Sequence, residues 1–347
     1  MRKIKLLVPN MPTTADLLPY LRAIDDNRWY SNFGPLVGEL ESRLSEHYGG
    51  AHVVTTSNGT TALEIALRYE KERGVEFVGF PALTFPATAL AAYNVGMTVL
   101  FDDVDPDTWC GSYVSTFGTP TKGPGLIDAA GAFGEQNVPR GTTACFSLHA
   151  TKILGCGEGG YIVTWDAEAA RVYRRMTNFG LENGVSTGVG TNAKMSEYHA
   201  AVALASLDRY SRDPWLRLWD WYAYELPACV TVQKRPRGVY PMMVVKLPVP
   251  AQGVLEYMAR AGIECRRWYY PPVHRHPLFH NAKLPKLPVT EDLAEHLIGL
   301  PWHLWLTRLE VRSVCRTLTA AVSAAQEKSG RRARSSGSGK RTPAKRS

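Results

Sequence analysis

Paired cysteines, long apolar runs and acids near the carboxyl terminus are all missing from this 347-residue chain, and each gap excludes a class of protein. The six cysteines, Cys110, Cys145, Cys156, Cys229, Cys265 and Cys315, have neither metal-site spacing nor a compact disulfide pattern. Reduced thiols are expected, and neither a metal centre nor a disulfide-stapled scaffold is. No uncharged apolar run reaches the roughly 20 residues that cross a bilayer. The basic start at Met1 loses its apolar run at Pro9, too short for a signal peptide. A cytoplasmic protein without membrane contact is the expectation.

Acids are absent from residues 328–347, where Lys328, Arg331, Arg332, Arg334, Lys340, Arg341, Lys345 and Arg346 supply eight cations. Of 40 basic residues these leave 32 in the body, against 32 acids, so the net charge of +8 belongs to the tail. That tail also lacks large apolar side chains, so it cannot offset its ordering entropy and is expected to be disordered. Weak contact with polyanions is the most it offers, and nucleic acid is not otherwise an expected partner.

What is present is a 45% apolar chain, long enough for a large core or two domains. Thr13 and Asp16 read as a capping box ahead of the helical stripe Leu17, Leu18, Leu21 and Ile24, and Leu36, Leu40, Leu44 and Tyr48 form a second stripe. From His52 to Phe101 short β-like runs alternate with helical ones, and further strands are expected at 125–128, 143–149 and 161–164. Helices are expected at 167–176 and 196–209. This texture predicts an α/β fold with a mostly parallel sheet sandwiched by helices. Past Pro214 the pattern changes to a smaller α+β region, with helices at 215–226, 253–261 and 307–325 and strands near 230–233 and 241–247. The expected division is a large domain at 1–212, a small one at 213–326 and the tail at 327–347.

Four features carry chemistry. Ser57-Asn58-Gly59-Thr60-Thr61 joins a strand to a helix, so the Gly59 and Thr60 amides sit at a helix amino terminus that favours a phosphate. A plain helix cap accounts for the same residues. Asp128 ends the strand Gly125-Leu126-Ile127-Asp128, where open α/β sheets hold their ligands. A carboxylate in so apolar a setting requires a cation, or else it caps the next turn. Lys152 follows the strand through Ser147-Leu148-His149-Ala150-Thr151 and precedes the glycine-rich run 155–160. Most lysines are solvated surface residues; this one combines a strand end, a hydroxyl at Ser147 and flexible backbone. Phe85 is either a cover for a flat ring or a core aromatic. An amine for a Schiff base, a carboxylate for a ring nitrogen and donors for a phosphate are what pyridoxal 5′-phosphate requires.

Taken in order, the segments Trp29–Pro35, Thr56–Leu63, Pro81–Thr88, Phe101–Thr108, Asp128–Gly134, Phe146–Gly160, Gly190–Ala201 and Tyr269–Phe279 resemble the DegT/StrS family of pyridoxal phosphate-dependent sugar aminotransferases. The resemblance implies the fold type I architecture of that cofactor class. It makes Lys152 the Schiff-base lysine, Asp128 the partner of the ring nitrogen, Ser147 with the Gly59 and Thr60 amides the phosphate donors, and Phe85 the stacking ring. Asn192 would reach the phosphate of a neighbouring subunit, implying a homodimer with shared sites. Glutamate would be the amino donor and a nucleotide-linked keto sugar the acceptor. A basic aromatic cluster, Arg266, Arg267, Tyr269, Tyr270, His274 and His276, is a candidate for the nucleotide diphosphate, and a surface loop is the alternative. A family branch with histidine for the lysine performs dehydration, and Lys152 argues against it.

Three departures stand out. Gly131 replaces the His or Gln that family members carry after Asp-Ala-Ala, and Ala193 replaces an aromatic. Between Thr108 and Leu126 the glycines and prolines leave no room for the family's additional strand and helix. Either the sheet closes without that unit, or the chain is an impaired relative that serves as a scaffold or regulator.

Overall fold

The computed structural model describes residues 3–122, 125–279 and 285–337. The expected α/β architecture is present. Helix α1 (Thr14–Asn27) starts on the capping box of Thr13 and Asp16. Helix α2 (Pro35–His47) starts on Gly34, which has no side chain to cap with. Its cap comes from far along the chain: the buried Glu197 carboxylate accepts from the Leu36 and Val37 amides at 2.8 and 2.9 Å. A Cβ at Gly34 would lie 2.6 Å from Glu197 Cδ, so only glycine permits this approach. Replacing Glu197 by Ala leaves two helix-terminal amides without acceptors, and an unsatisfied buried donor costs about 1–3 kcal/mol. Chemical denaturation should therefore show a loss of about 2–4 kcal/mol; an unchanged midpoint would mean that the cap contributes nothing.

Strand β1 (His52–Thr56), helix α3 (Gly59–Glu72), strand β2 (Phe77–Pro81), helix α4 (Pro86–Asn94) and strand β3 (Thr98–Asp102) follow as the alternation predicts. Then come β4 (Gly125–Asp128), β5 (Thr142–Ser147), β6 (Gly160–Thr164), helix α5 (Ala167–Thr177), a two-rung hairpin of β7 (Leu181–Glu182) and β8 (Val185–Ser186), and helix α6 (Glu197–Asp208). The sheet order is β1-β6-β5-β4, in which β4 and β5 are parallel and β6 runs against both of its neighbours. All five residues of β6 are buried, as expected of a strand covered on both faces.

The remaining elements are α7 (Asp213–Glu225), β9 (Thr231–Val232), β10 (Met243–Lys246), α8 (Ala251–Arg260), α9 (Pro288–His296), β11 (Leu297–Leu300) and α10 (Arg308–Gly337). One apolar cluster runs through both sides of the expected boundary at 212/213, from Leu40 and Phe146 to Trp302 and Leu318. Helix α10 carries a helical backbone into the expected tail as far as Gly337, and residues 338–347 lie outside the described ones. Among the described residues no helix is long and apolar enough to cross a membrane.

The shortened segment after Thr108 has a definite structure. Among the described residues strands β2 and β3 pair only with each other, so there the sheet does not close across the missing unit. The exposed edge of β4 is taken instead by a fragment: Ser115 donates to the Asp128 carbonyl at 2.9 Å, and the Asp128 amide donates to Tyr113 O at 2.8 Å. Trp109, Val114 and Phe117 from this segment are buried and plug the gap. Trp109, Tyr113 and Phe117 adopt positive φ of 53°, 63° and 55°, each costing about 1 kcal/mol in a non-glycine residue. Gln136 offsets this by clamping the segment. Its Oε1 accepts from Ser115 Oγ and the Thr121 amide at 2.9 and 3.0 Å, and its Nε2 donates to Thr121 O at 3.1 Å. The half-buried Arg235 donates to Phe117 O at 3.1 Å from the other side.

Candidate active site

The ends of β1, β4 and β5 bring the sequence-predicted groups together. Asn58 caps α3 by accepting from the Thr61 amide at 2.8 Å, while the Gly59 and Thr60 amides have no acceptor among the described residues. Facing them is Ser147, the last residue of β5. A Cβ on Gly59 would lie 2.8 Å from Ser147 Cβ, so the missing side chain lets the two backbones meet. Gly160 plays the same part beside Asn58, whose backbone carbon would be 2.5 Å from a Cβ there. The result is a cradle of two free amides and a hydroxyl at a helix amino terminus, which fits a phosphate. A plain cap does not use up the donors at this terminus: Asn58 does the capping, and the next two amides are left over.

Asp128 ends β4 with 8% of its surface exposed. Its Oδ2 accepts from Thr88 Oγ1 at 2.6 Å and its Oδ1 from the Ala130 amide at 3.0 Å. Burial nevertheless pushes its pKa above the ordinary carboxylate value, against the pull of those donors and of Lys152. Thr88 was not singled out from the sequence. Its signal is a hydroxyl in the first turn of α4 behind Pro86, but the partner lies 40 residues away.

Lys152 follows β5 on a tight turn held by bonds from the Leu148 amide to Gly159 O and from the Lys152 amide to His149 O, both 2.8 Å. Its half-buried side chain has its pKa lowered by burial, with Asp128 pulling the other way. The two groups feel each other's charge, yet no ion pair joins them.

Phe85 is 56% exposed, so it is not a core aromatic; it meets Tyr269 edge-on with centroids 6.4 Å apart. Tyr269 in turn stacks on Phe117 at 5.3 Å, and its hydroxyl is held protonated by burial and by the charge of Asp128. The plug segment thus supplies one wall of the site. Asn192 stands apart: its backbone bridges Asn178, it is exposed, and no hydrogen bond or ion pair links it to the other six. Of the departures, Gly131 is enclosed, since a Cβ there would meet Pro241 Cγ at 3.0 Å, and Ala193 is fully buried. In the basic aromatic cluster Arg267 is tied to Glu295, His274 shares Glu291 with the neighbouring Arg275, and His276 is tied to Pro271 O. Arg266 keeps an exposed guanidinium over the Trp268 ring at 4.5 Å with no acceptor among the described residues. No cluster of metal-ligating side chains occurs among the described residues.

Residues 13–115 and 124–319 match the DegT/DnrJ/EryC1/StrS aminotransferase family model, and the break falls in the plug segment. The chain is 30% identical to Protein Rv3402c of Mycobacterium tuberculosis, covering 87% of this chain and 86% of that one. It is also 30% identical to UDP-N-acetyl-3-dehydro-alpha-D-glucosamine 3-aminotransferase of Acidithiobacillus ferrooxidans, over 76% of this chain and 82% of the relative. The crystal structure of DesI in the presence of its TDP-sugar product superposes with a TM-score of 0.85 at 29% identity, covering 96% of each chain.

Proposed function

The chain belongs to the DegT/DnrJ/EryC1/StrS aminotransferase family, and from that premise we propose that it binds pyridoxal 5′-phosphate and moves an amino group from glutamate to a nucleotide-linked keto sugar. The observation that supports the reading is that the parallel neighbours β4 and β5 end on Asp128 and on the turn that carries Lys152, beside the cradle of Gly59, Thr60 and Ser147. Lys152 and Asp128 would hold the ring, while Ser147, Gly59 and Thr60 would hold the phosphate and Phe85 would cover the exposed ring face. The bound cofactor supplies an electron sink for negative charge at the substrate carbon.

The residues of the chain do the rest. The lowered pKa of Lys152 keeps a share of its amine neutral, so Nζ can take a proton from the donor's Cα and return it elsewhere. Asp128, as a carboxylate, keeps the ring nitrogen protonated. Lysine at 152 also favours amino transfer over the dehydration branch of the family. The alternative of an impaired scaffold would leave a half-buried Lys152 and a buried Asp128 without a role.

Acceptor chemistry is supported by relatives named for UDP- and TDP-linked sugars and by the uncommitted cation of Arg266, suited to an anionic substrate group. A homodimer is supported by the exposed Trp29, Tyr30 and Tyr198, the last two stacked at 6.3 Å, and by the exposed Phe179 and Val185. In that assembly Asn192 would serve the partner's site. The test is spectroscopic: protein loaded with pyridoxal phosphate should absorb in the near-visible, lose that band on adding glutamate while 2-oxoglutarate forms, and regain it with a nucleotide keto sugar. Protein that takes up no chromophore would defeat the reading.

A further inference from the structure

Two buried threonines stand behind Asp128, and the family match assigns them nothing. Thr88 is fully buried and Thr84 is 3% exposed. Thr88 Oγ1 lies 2.6 Å from Asp128 Oδ2, 3.3 Å from Thr84 Oγ1 and 3.5 Å from Phe85 O. A hydroxyl has one proton to give. When Asp128 is ionised, Thr88 must donate to it, and Thr84 then donates to Thr88. When Asp128 is protonated, its own O–H donates to Thr88 Oγ1, and the Thr88 proton turns outward to Phe85 O or Thr84. The same three oxygens satisfy both charge states with only hydroxyl rotations.

We propose that Thr88, backed by Thr84, is the positioning residue of this site: a reversible hydroxyl relay that lets Asp128 sit neutral in the empty protein and ionised opposite a cationic ring. Burial drives Asp128 toward the neutral form when no cation faces it. The relay removes the hydrogen-bonding penalty from either state and fixes the carboxyl plane through Oδ2, while the Ala130 amide fixes it through Oδ1. The outward arm ends on Phe85 O, the carbonyl of the residue whose ring is offered to the cofactor, so the carboxyl and the ring cover share one hydrogen-bonded unit.

This inference rests on the cofactor reading above, and the experiment separates the two. Wild-type protein must first bind pyridoxal phosphate with a near-visible band; without it the cofactor reading fails, and the relay with it. Given the band, Thr88→Val keeps the shape and removes the hydroxyl, and Thr88→Ser keeps the hydroxyl. Hydrogen bonds to charged groups are among the stronger ones, so Thr88→Val should bind the cofactor about tenfold or more weakly in titrations of the band. Losing a donor to the ionised form also raises the Asp128 pKa, so the acid limb of the kcat/KM profile should move to higher pH. Thr88→Ser should restore both, and Thr84→Val should show a smaller shift of the same sign. Wild-type cofactor affinity and an unmoved acid limb in Thr88→Val would overturn the proposal. So would a Thr88→Ser variant that behaves like Thr88→Val, because that points to packing rather than the hydroxyl.

Discussion

Lys152→Ala is expected to lose amino-transfer turnover by about 10⁴-fold or more, because it removes a general base worth roughly 10²–10⁴ together with the covalent anchor. The near-visible band should disappear at the same time. The substitution is expected to leave the fold intact, since the side chain makes no hydrogen bond or ion pair among the described residues and the turn is held by backbone bonds at 148, 150 and 152. Arginine cannot replace it, because a guanidinium stays protonated at any working pH. The amine is useful because burial lowers its pKa, so its neutral fraction at a given pH exceeds that of a surface lysine. Measuring 2-oxoglutarate release alongside absorbance decides the matter: a Lys152→Ala protein that keeps wild-type turnover would end the assignment.

Asp128→Asn should divide function from stability. Turnover is expected to fall by about 10²–10³-fold, equivalent to roughly 3–4 kcal/mol of lost transition-state stabilisation, while the cofactor-free protein becomes more stable at neutral pH by about 1–3 kcal/mol. The sign follows from linkage. Burial raises the folded-state pKa above that of an ordinary aspartate, so the folded protein binds more protons between the unfolded and folded values. Stability is full below the unfolded pKa and is lost as pH rises through the folded one. Wild type and Asp128→Asn should therefore melt alike in acid and diverge as the pH rises, with the variant higher. Adding cofactor should narrow the gap by giving the carboxylate its cation. Equal melting temperatures at every pH would show that the carboxylate is not penalised by its surroundings.

Much of this site was legible because its parts lie at strand ends and helix starts, where local rules operate. Gly59, Asp128, Ser147 and Lys152 each stand next to an element that periodicity and capping residues mark clearly. Thr88 escaped because its importance is a contact across 40 residues, and nothing about a threonine in the first turn of a helix reports which carboxyl lies beneath it. The same holds for Glu197, which caps a helix 160 residues earlier. Strand β11 was missed because Gly299 interrupts its apolar run; a Cβ there would overlap the Trp268 indole, so the glycine makes room rather than breaking the strand. The hairpin of β7 and β8 is too short for an alternation to register. The glycines and prolines after Thr108 left room for no helix of ordinary length, and among the described residues only a 3-10 turn at Thr116–Gly118 forms there, but composition alone could not foresee that Tyr113 and Ser115 would pair with Asp128.

That pairing has a practical side. Both backbone groups of Asp128 are fastened to the loop after Thr108, and the next aromatic along it, Phe117, braces Tyr269. Insertions or deletions between 109 and 121 would therefore retune the basicity of the central carboxyl at the same time as they reshaped the entrance. Under the proposed assignment of Arg266 to the acceptor, varying that residue would change acceptor contacts while leaving the loop at its native length.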